Sequence, residues 1–438
     1  MKLFQRMLVA PAALGLLAPL AANATEVNLN EISNYSNEQI EIDSNSFGTT
    51  TVNPLLAGGE GLDLNSGSSD SFSSTTTMTG SAVMAIGSID GADELGLRQT
   101  TQTMYTYTMN LNTSFTGDDN LYVRLRTGDS GSSFGTKPAT YHPDRYSGTT
   151  DVLAVDKIWY QFPMGDNFTA WVGPKIENYY MYAATPSIYQ PGAQKAFKLG
   201  SLSAAFGAST TTGAGVKYQV GDSPWAFSTN IVSKGARGSS NGFLGNQDTS
   251  KWDTMIAYTK PQWHGSLTVS SQHNGWDSFS YYATSKAKDL DNSAMVDGSD
   301  DGANKPNSMA YALRTYWRPS ESGTITPEVT LGYDILNVSN NGTGKVKNAN
   351  SYMIGLGWSD MFRADDKIGA AYGAPLRATS LQGDGDPADV DASMWEIYYS
   401  FKPNDSVTVI PAVFDGTDVF ADSEDDITGV MVTTKFKF

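Results

Sequence analysis

The chain contains no cysteine and only three histidines among its 438 residues. Without cysteine it can form no disulfide framework, no thiolate metal site and no cysteine nucleophile. The histidines, His142, His264 and His273, are far apart in the sequence, and no nucleophile-elbow pattern lies near them. We therefore predict that the protein is not an enzyme, and we assign it no metal site and no cofactor.

Long apolar runs and an excess of basic charge are also missing. Beyond the N-terminus no stretch approaches eighteen consecutive apolar residues, which excludes membrane-spanning helices. The net charge of −17 argues against nucleic acid as a partner, because phosphates are bound by Lys and Arg surfaces. What the chain does have is 22 Tyr, 9 Trp and 43 Gly, with only 17% charged residues. This composition favours alternating strands over a helical enzyme.

The N-terminus has the pattern of a bacterial secretory signal. Two basic residues precede an apolar run, and Ala22-Asn23-Ala24 forms a small-x-small cleavage site. Residues 1–24 are therefore predicted to be a signal peptide that directs export. The following segment, 25–74, is polar and contains no Lys or Arg, so we interpret it as a flexible or periplasmic leader.

From residue 75 onward the chain consists of short runs in which apolar and polar residues alternate. Tyr105, Tyr107 and Met109 share one face of an extended segment, and the polar residues between them share the other. This period of two is typical of strands that are apolar on one side only. The pattern predicts sixteen strands: 76–88, 100–115, 119–128, 151–162, 167–176, 212–220, 224–234, 251–260, 263–273, 307–318, 323–336, 349–359, 366–374, 392–402, 405–414 and 427–438.

The predicted connections between these strands alternate, without exception, between tight turns and longer loops. An outer-membrane barrel has an even number of strands, short periplasmic turns and long external loops. A soluble sandwich has no reason to separate its connections by length. We therefore predict an all-β fold over residues 75–438: a 16-stranded antiparallel transmembrane β-barrel with a water-filled lumen.

The last predicted strand supports this fold class. Val430, Val432 and Phe436 lie on one face, and the chain ends on the same face with Phe438. A strand that is apolar on one side and ends on an aromatic residue is typical of the closing strand of such a barrel.

The chain resembles the cyanobacterial outer-membrane porins of the carbohydrate-selective porin family. The matching pieces are 1–24, 110–125, 156–167 and 213–218, of which 156–167 (DKIWYQFPMGDN) is the most specific. The resemblance implies a homotrimeric general-diffusion pore in the cell outer membrane that passes small ions and nutrients, with iron proposed for some members. Many members also carry an N-terminal S-layer-homology domain. We find no such motif in the leader, which argues against peptidoglycan contact by this chain.

Charged residues on the inward faces define a candidate pore lining. Counted from the periplasmic turns, basic residues of four consecutive strands fall near a common belt, and inward acids fall on the far side. The belt would contain Arg124, Arg126, Lys157, Lys175 and Lys217, and the opposing lumen acids would be Glu328, Asp334 and Glu396. Such a pair of walls would set up a transverse field across the lumen. The alternative is a set of separate solvated charges.

The longest predicted connection, 177–211, is the candidate constriction loop, because the corresponding loop of porin-type barrels folds inward. Its candidate residues are Tyr179, Tyr180, Tyr182, Lys195 and Lys198. Glu177 is its only acid, so we expect a net basic constriction that favours anions. The tyrosines could stack on the apolar faces of sugars, or pack without any ligand.

Other long loops crowd carboxylates, as in 289–301, 384–391 and 415–426. None has the spacing of a calcium loop, so we interpret them as a solvated external rim. We predict a passive diffusion porin for small hydrophilic solutes such as inorganic ions, iron or sugars. Two alternatives stay open. One is an outer-membrane barrel enzyme that uses His142 at the rim, and the other is a structural surface protein with acidic external loops.

Overall fold

A computed structural model describes part of the chain in atomic detail. The described residues are 75–91, 100–129, 151–201, 204–207, 210–235, 242–245, 248–280, 283–291, 305–339, 342–383, 385, 387, 391–419 and 427–438. The predicted signal peptide, the leader and His142 lie outside these ranges. No helix within them is both long and apolar enough to cross a membrane.

The described residues form sixteen antiparallel strands in one closed barrel, in which each strand pairs with its neighbours in the chain and β1 pairs with β16. The strands are β1 Thr76–Asp90, β2 Gln102–Thr113, β3 Asn120–Asp129, β4 Ala154–Met164, β5 Phe168–Ile176, β6 Thr211–Tyr218, β7 Trp225–Ser233, β8 Ser250–Lys260, β9 Trp263–His273, β10 Asn307–Trp317, β11 Glu328–Ser339, β12 Val346–Ser359, β13 Lys367–Leu381, β14 Ser393–Asn404, β15 Val407–Thr417 and β16 Ile427–Lys437. The predicted all-β, 16-stranded antiparallel barrel is confirmed.

The prediction that short and long connections alternate without exception was wrong at one hairpin. β11 begins at Glu328 and not at 323. The connection from β10 to β11, 318–327, was predicted to be a tight turn but is longer than the next connection, 340–345, which was predicted to be a long loop. The sequence 323–326 alternates like a strand, but Gly323 has a positive φ and donates its N–H to the Ser359 carbonyl. The Trp358 indole also binds the carbonyl of Ile325. These contacts tie the segment to the end of β12 through two isolated hydrogen bonds and not through continuous strand pairing.

The barrel presents apolar residues outward and polar residues inward. Leu313 is 56% exposed on β10, whereas its neighbour Arg314 is completely buried on the inner side. This is the reverse of a soluble sandwich, which would bury its apolar faces against each other. Large apolar side chains exposed on the outer face include Met84, Val172, Trp252, Leu313, Leu331, Ile354 and Ile397.

Phe438, which follows β16, attaches the closing strand to β1. Phe438 and Gly80 exchange two backbone hydrogen bonds, of 2.7 and 3.1 Å. The Phe438 ring stacks on Tyr107 with 5.8 Å between centroids. Gly80 leaves room for this ring position, because a Cβ there would lie 2.3 Å from the Phe438 ring and would displace it. The first and last strands are therefore joined at the outer surface of the barrel.

The turn between β2 and β3 is organised by Asp119. Its carboxylate accepts the backbone N–H groups of Phe115 and Thr116, at 2.9 and 2.8 Å, and the hydroxyls of Ser114 and Tyr160. Burial alone would raise the pKa of Asp119, but these hydrogen bonds stabilise the charged form and lower the pKa well below its ordinary value of 3.8. The turn fixes the start of β3, which carries two of the predicted basic residues.

Acid should therefore loosen this turn. Because the folded pKa is depressed, the stabilisation is fully present above the ordinary pKa of 3.8 and is lost as pH falls through the folded value. We expect the Phe115 and Thr116 amides to lose protection from hydrogen exchange in that acid range. Asp119→Asn should remove this pH dependence, whereas Asp118→Asn, which changes an exposed neighbour, should preserve it. Equal protection at all acidic pH values in the wild type would contradict this assignment.

Candidate functional site

The connection between β5 and β6, residues 177–210, is here called the inner loop. Its described residues contact side chains on the inner face of the barrel from β8 to β14. It contains two 3₁₀ helices, Asn178–Met181 and Lys195–Gly200. Three sets of buried charged residues hold it against the wall, and each satisfies polar groups of the loop.

The first set lies on β8. The Asp253 carboxylate accepts from the Asn178 amide at 2.6 Å and from the Tyr182 hydroxyl at 3.0 Å. The Lys251 ammonium donates to three backbone carbonyls of residues 204–207, at 2.5 to 3.2 Å. Both charged side chains are completely buried. A buried ammonium needs several acceptors, and the loop backbone supplies them.

The second set lies on β10 and β11. Arg314 donates through Nε to the Leu199 carbonyl and through Nη2 to the Ser201 carbonyl, both at 2.8 Å. The same Nη2 binds both carboxylate oxygens of Asp334, at 2.8 and 3.0 Å. The loop backbone comes so close to β11 that a Cβ at Gly332 would lie 1.6 Å from a loop carbonyl oxygen. Glycine is therefore required at position 332.

The third set is one carboxylate on β14. Glu396 is completely buried and accepts the backbone N–H groups of Gly192, Ala193 and Gln194 at 3.0, 2.9 and 2.7 Å. The Tyr189 hydroxyl donates a fourth hydrogen bond at 2.8 Å. Consecutive N–H groups directed at one anion form a nest, and here the occupant is a side chain of the barrel itself.

These contacts correct the prediction for the opposing lumen acids. Asp334 and Glu396 do lie on the inner face, but the inner loop covers them and leaves them 0% exposed. Glu328 lies apart from them at the start of β11 and pairs with Lys367 at 3.1 Å. Neither Asp334 nor Glu396 belongs to an acidic wall facing water, because Glu396 binds the loop directly and Asp334 pairs with Arg314, which binds the loop.

On the opposite side of the barrel, β3 and β4 carry a cluster of Arg124, Arg126, Asp156 and Lys157, the inner-wall cluster. The Asp156 carboxylate lies 3.7 Å from the Arg124 guanidinium and 3.9 Å from that of Arg126. The Lys157 ammonium is 3.6 Å from the same carboxylate. Three cations therefore share one carboxylate of the wall.

Asp156 was missed because strict alternation places it on the outer face, next to the inward Lys157. A register shift follows the pair Arg124–Lys157, and this bulge turns Asp156 toward the same side as Lys157. The sequence did contain an indication of this bulge. A carboxylate at a position predicted to face lipid is costly, which itself indicates a bulge.

The inner loop joins this cluster at its first residue. The Glu177 carboxylate lies 2.8 Å from the Lys157 ammonium and also accepts the Tyr179 hydroxyl. Burial alone would raise the pKa of Glu177, but the attraction of Lys157 outweighs it and lowers the pKa. Lys157 is therefore an ion-paired group of the wall and not a separate solvated charge. Its side chain is 4% exposed and has a carboxylate partner.

The structure does not bring Lys175 and Lys217 into this cluster. Lys175 pairs with Ile158, the residue next to Lys157, but its ammonium donates to the carbonyl of the exposed Val155 at 2.5 Å and not to the Asp156 carboxylate. Lys217 pairs with Thr169, six residues from Lys175 along β5 and so about 20 Å away. The common belt is thus limited to Arg124, Arg126 and Lys157, because a bulge beside Lys175 changes its face and Lys217 lies close to the periplasmic turn.

The predicted loop residues have two different environments. Tyr180 and Tyr182 are each 1% exposed, so they pack inside the structure and do not offer a ring face to a sugar. Tyr179, by contrast, is only partly buried. Lys195 and Lys198 are half-buried on the second 3₁₀ helix. The loop therefore contributes positive charge, but not the tyrosine platform that we considered.

An apolar cluster inside the barrel was not predicted. Two inward-facing tryptophans, Trp159 and Trp171, form its centre, and alternation from Lys157 already placed Trp159 on the inner face. The interior next to β3–β7 is therefore packed, and the lumen is not uniformly polar. The cluster consists of Tyr122, Trp159, Trp171, Ile176, Tyr180, Met181, Val232 and Trp276.

The described histidines have structural surroundings. His264 stacks on Tyr316 with ring centroids 4.8 Å apart and shares hydrogen bonds with Thr259 and Ser266. His273 contacts Ser271. Among the residues that the structure describes, no three His, Asp or Glu side chains are grouped so that they could hold a metal ion.

No protein-family model matches the chain, and no curated protein does. Solved structures do match. One is the high-pH structure of Pseudomonas putida OprB, whose sequence is 11% identical to this chain. The match covers 83% of this chain and 94% of the OprB chain, with a TM-score of 0.54. The chain has a porin fold. An engineered variant of the Rhodobacter blastica porin is 13% identical, covers 83% of this chain and 100% of its own, and has a TM-score of 0.49.

Proposed function

We propose that the protein is a passive diffusion porin of the outer membrane that passes small hydrophilic solutes. The observation that carries this proposal is the inversion of the barrel. Large apolar side chains such as Leu313 and Ile397 are more than half exposed outside, while charged groups lie inside. An exterior of this kind is stable in lipid and not in water. An inner loop anchored across the interior would leave a narrowed aqueous path beside it.

The charge along this path supports a preference for anions. The inner-wall cluster and Glu177 together contain three cations and two carboxylates, so their summed charge is +1. Lys195 and Lys198 add half-buried cations from the loop. Charges at a constriction act at close range, because screening over about 8–10 Å weakens the acidic external loops.

The finer assignments belong to the same proposal. The resemblance to cyanobacterial carbohydrate-selective porins supports a homotrimer and leaves inorganic ions, iron and sugars as candidate solutes. The proposal also includes export through the predicted signal peptide and contact with outer-membrane lipid. It includes no nucleic-acid or peptidoglycan partner. The porin fold is consistent with each of these assignments.

Planar-bilayer recording tests the proposed function. Purified protein should produce discrete conductance steps that persist without any energy source, and liposomes that contain it should take up small sugars. A barrel that inserts and yet conducts no ions would refute the proposal. In that case hydrolytic assays and cell-surface binding would separate the barrel enzyme from the structural surface protein.

Anion preference should depend on Arg126, the most exposed cation of the inner-wall cluster, with 15% of its side chain accessible. Arg126→Gln removes a positive charge without exposing Glu177, so the chloride-to-potassium permeability ratio should fall by about two-fold. Reversal potentials across a salt gradient measure this ratio. Lys260→Gln is the control matched in charge, because Lys260 is exposed at the periplasmic end of β8. An equal shift in both variants would show that the cluster does not line the narrowest point.

A further inference from the structure

A second part of the chain also crosses the inside of the barrel. The connection between β9 and β10 contains two described stretches, 276–280 and 283–290, which we call the strap. The first stretch is attached beside β7–β9 and the second beside β12–β15. The strap is separate from the inner loop in sequence, and the proposed function makes no use of it.

The first attachment is Trp276. Its side chain is 3% exposed and belongs to the apolar cluster inside the barrel. The Lys234 ammonium lies 4.6 Å from its ring centroid and the Lys251 ammonium 5.6 Å. Two cations next to one indole stabilise it by cation–π attraction. Nearby, the Ser278 hydroxyl donates to Gln272 on the inner face of β9 at 2.6 Å.

The second attachment is a set of backbone hydrogen bonds. Thr284 donates its N–H to the Leu376 carbonyl of β13 at 2.9 Å, and Ala283 forms a parallel bridge with the same residue. Ser285 donates its N–H to the carbonyl of Val419, which follows β15, at 3.0 Å. Ala283 and Leu376 are both completely buried. This end of the strap is therefore packed against the barrel rather than lying free in solvent.

A short helix, α1 Ser285–Asp289, follows this attachment. Thr284 caps it, because its hydroxyl accepts the Ala287 N–H at 3.1 Å. The chain then returns to β12, where the Leu290 carbonyl accepts the Val346 N–H at 3.1 Å. Lys286 and Lys288 on this helix are both half-buried.

The positions of the attachments in the barrel decide what the strap does. β9 and β13 are four strands apart in the barrel, and β15 is six strands from β9. A chain held at β9 and again at β13 and β15 passes from one wall to another at the external end of the barrel.

We propose that the strap is a second constriction, in series with the inner loop, and that it sets the largest solute that can enter. This inference rests on the proposed porin function. Within these stretches Lys286 and Lys288 are balanced by Asp277 and Asp289, so this constriction limits solute size without adding a net charge. The size limit then depends on residues far from the inner loop in sequence.

The attachment can be tested by cross-linking, because the chain has no cysteine of its own. Ala283→Cys with Leu376→Cys should form a disulfide under mild oxidation, seen as loss of maleimide labelling that a reductant restores. Conductance should not change when the disulfide forms, since the strap is already in place. Ala283→Cys with Leu313→Cys is the control, because Leu313 lies on the outer face. Free thiols in the first pair would overturn the attachment.

The constriction can be tested by releasing the strap. Trp276→Ala combined with Ser285→Pro removes the indole from the apolar cluster and the Ser285–Val419 hydrogen bond, which loosens both attachments. α1 can still form, because proline is favoured at the first helical position. Thr284, with φ −56° and ψ 150°, already has the backbone that a following proline requires. We expect conductance to rise by about two-fold, as when one of two similar resistances in series is removed. Liposome swelling should extend to larger oligosaccharides.

The control for release is Trp276→Ala with Ser285→Ala, which keeps the N–H group bonded to Val419 and should show a smaller rise. Heat-modifiable migration on gels verifies that every variant is a folded barrel. If the wild type conducts and the released variant has the same conductance and size limit, the strap inference is wrong while the porin proposal stands. If the wild type itself conducts nothing, the porin proposal fails first.

Discussion

A chain that lacks residues 427–438 is expected to accumulate as unfolded or aggregated protein rather than as an inserted barrel. β16 pairs with β1 on one side and with β15 on the other, so its loss leaves two edges unpaired. Backbone groups on an open edge in lipid have no water to bind, and each one costs several kcal/mol. The effect should therefore be all or none. Fractionation of membranes and heat-modifiable migration on gels measure it.

Single substitutions at the end of this strand should show how much Phe438 contributes. Phe438→Ser removes the ring that stacks on Tyr107 and covers Gly80, and it should reduce the inserted fraction. Phe438→Leu keeps an apolar side chain over Gly80 and should reduce it less. Gly80→Leu would test the same contact from β1, since its side chain would occupy the space of the Phe438 ring. Normal insertion of the chain without 427–438 would contradict the barrel closure itself.

Replacing Arg314 by methionine is expected to have the second largest effect. The change leaves the Asp334 carboxylate buried without its cation and removes two hydrogen bonds to the inner loop. Breaking a buried ion pair on one side costs about 3–5 kcal/mol in the free energy of unfolding. Urea unfolding in lipid vesicles measures this loss. Because the loop loses one of three anchors, single-channel conductance should also rise and become noisier.

Two further variants identify the cause of that loss. Arg314→Met combined with Asp334→Leu also removes the buried, unpaired carboxylate. This double variant should therefore recover part of the free energy of unfolding, but its single-channel current should stay noisy. Lys367→Met breaks the partly exposed pair with Glu328, whose side chains are 24% and 20% accessible. A pair of that kind contributes only about 0–1 kcal/mol. If Arg314→Met unfolds like Lys367→Met, the anchoring role of Arg314 is wrong.

Alternation along the strands could be read from the sequence, and with it the number of strands and their outward faces. The Tyr105, Tyr107 and Met109 pattern gave β2 to within two residues at each end. Such patterns are local, because successive side chains of any strand point to opposite faces. Strand ends were less certain where alternation continued into a turn. The stretch before Glu328 shows this, since Gly323 leaves the extended conformation there.

The candidate site was predicted only in part, for reasons that particular residues make clear. Arg124 and Lys157 were predicted only to lie near a common belt, and in the structure they pair directly on neighbouring strands. Lys175 was placed in the same belt, but a bulge shifts the register by one residue and moves its side chain to the other face. Asp156 entered the site through the same kind of shift. The charge of Asp156 indicates that a bulge is present, but it does not fix where the register shifts.

The sequence by itself determined that this chain forms a barrel with an apolar exterior, because that property depends only on which residues alternate along each strand. Only the tertiary structure decided the roles of Asp334 and Glu396. Their inward direction was predictable, but Glu396 binds loop N–H groups that are more than two hundred residues away in sequence, and Asp334 pairs with Arg314, which itself binds the loop. A buried charge takes its role from the groups that replace water around it. Those groups are brought to it only when the inner loop packs against the completed wall.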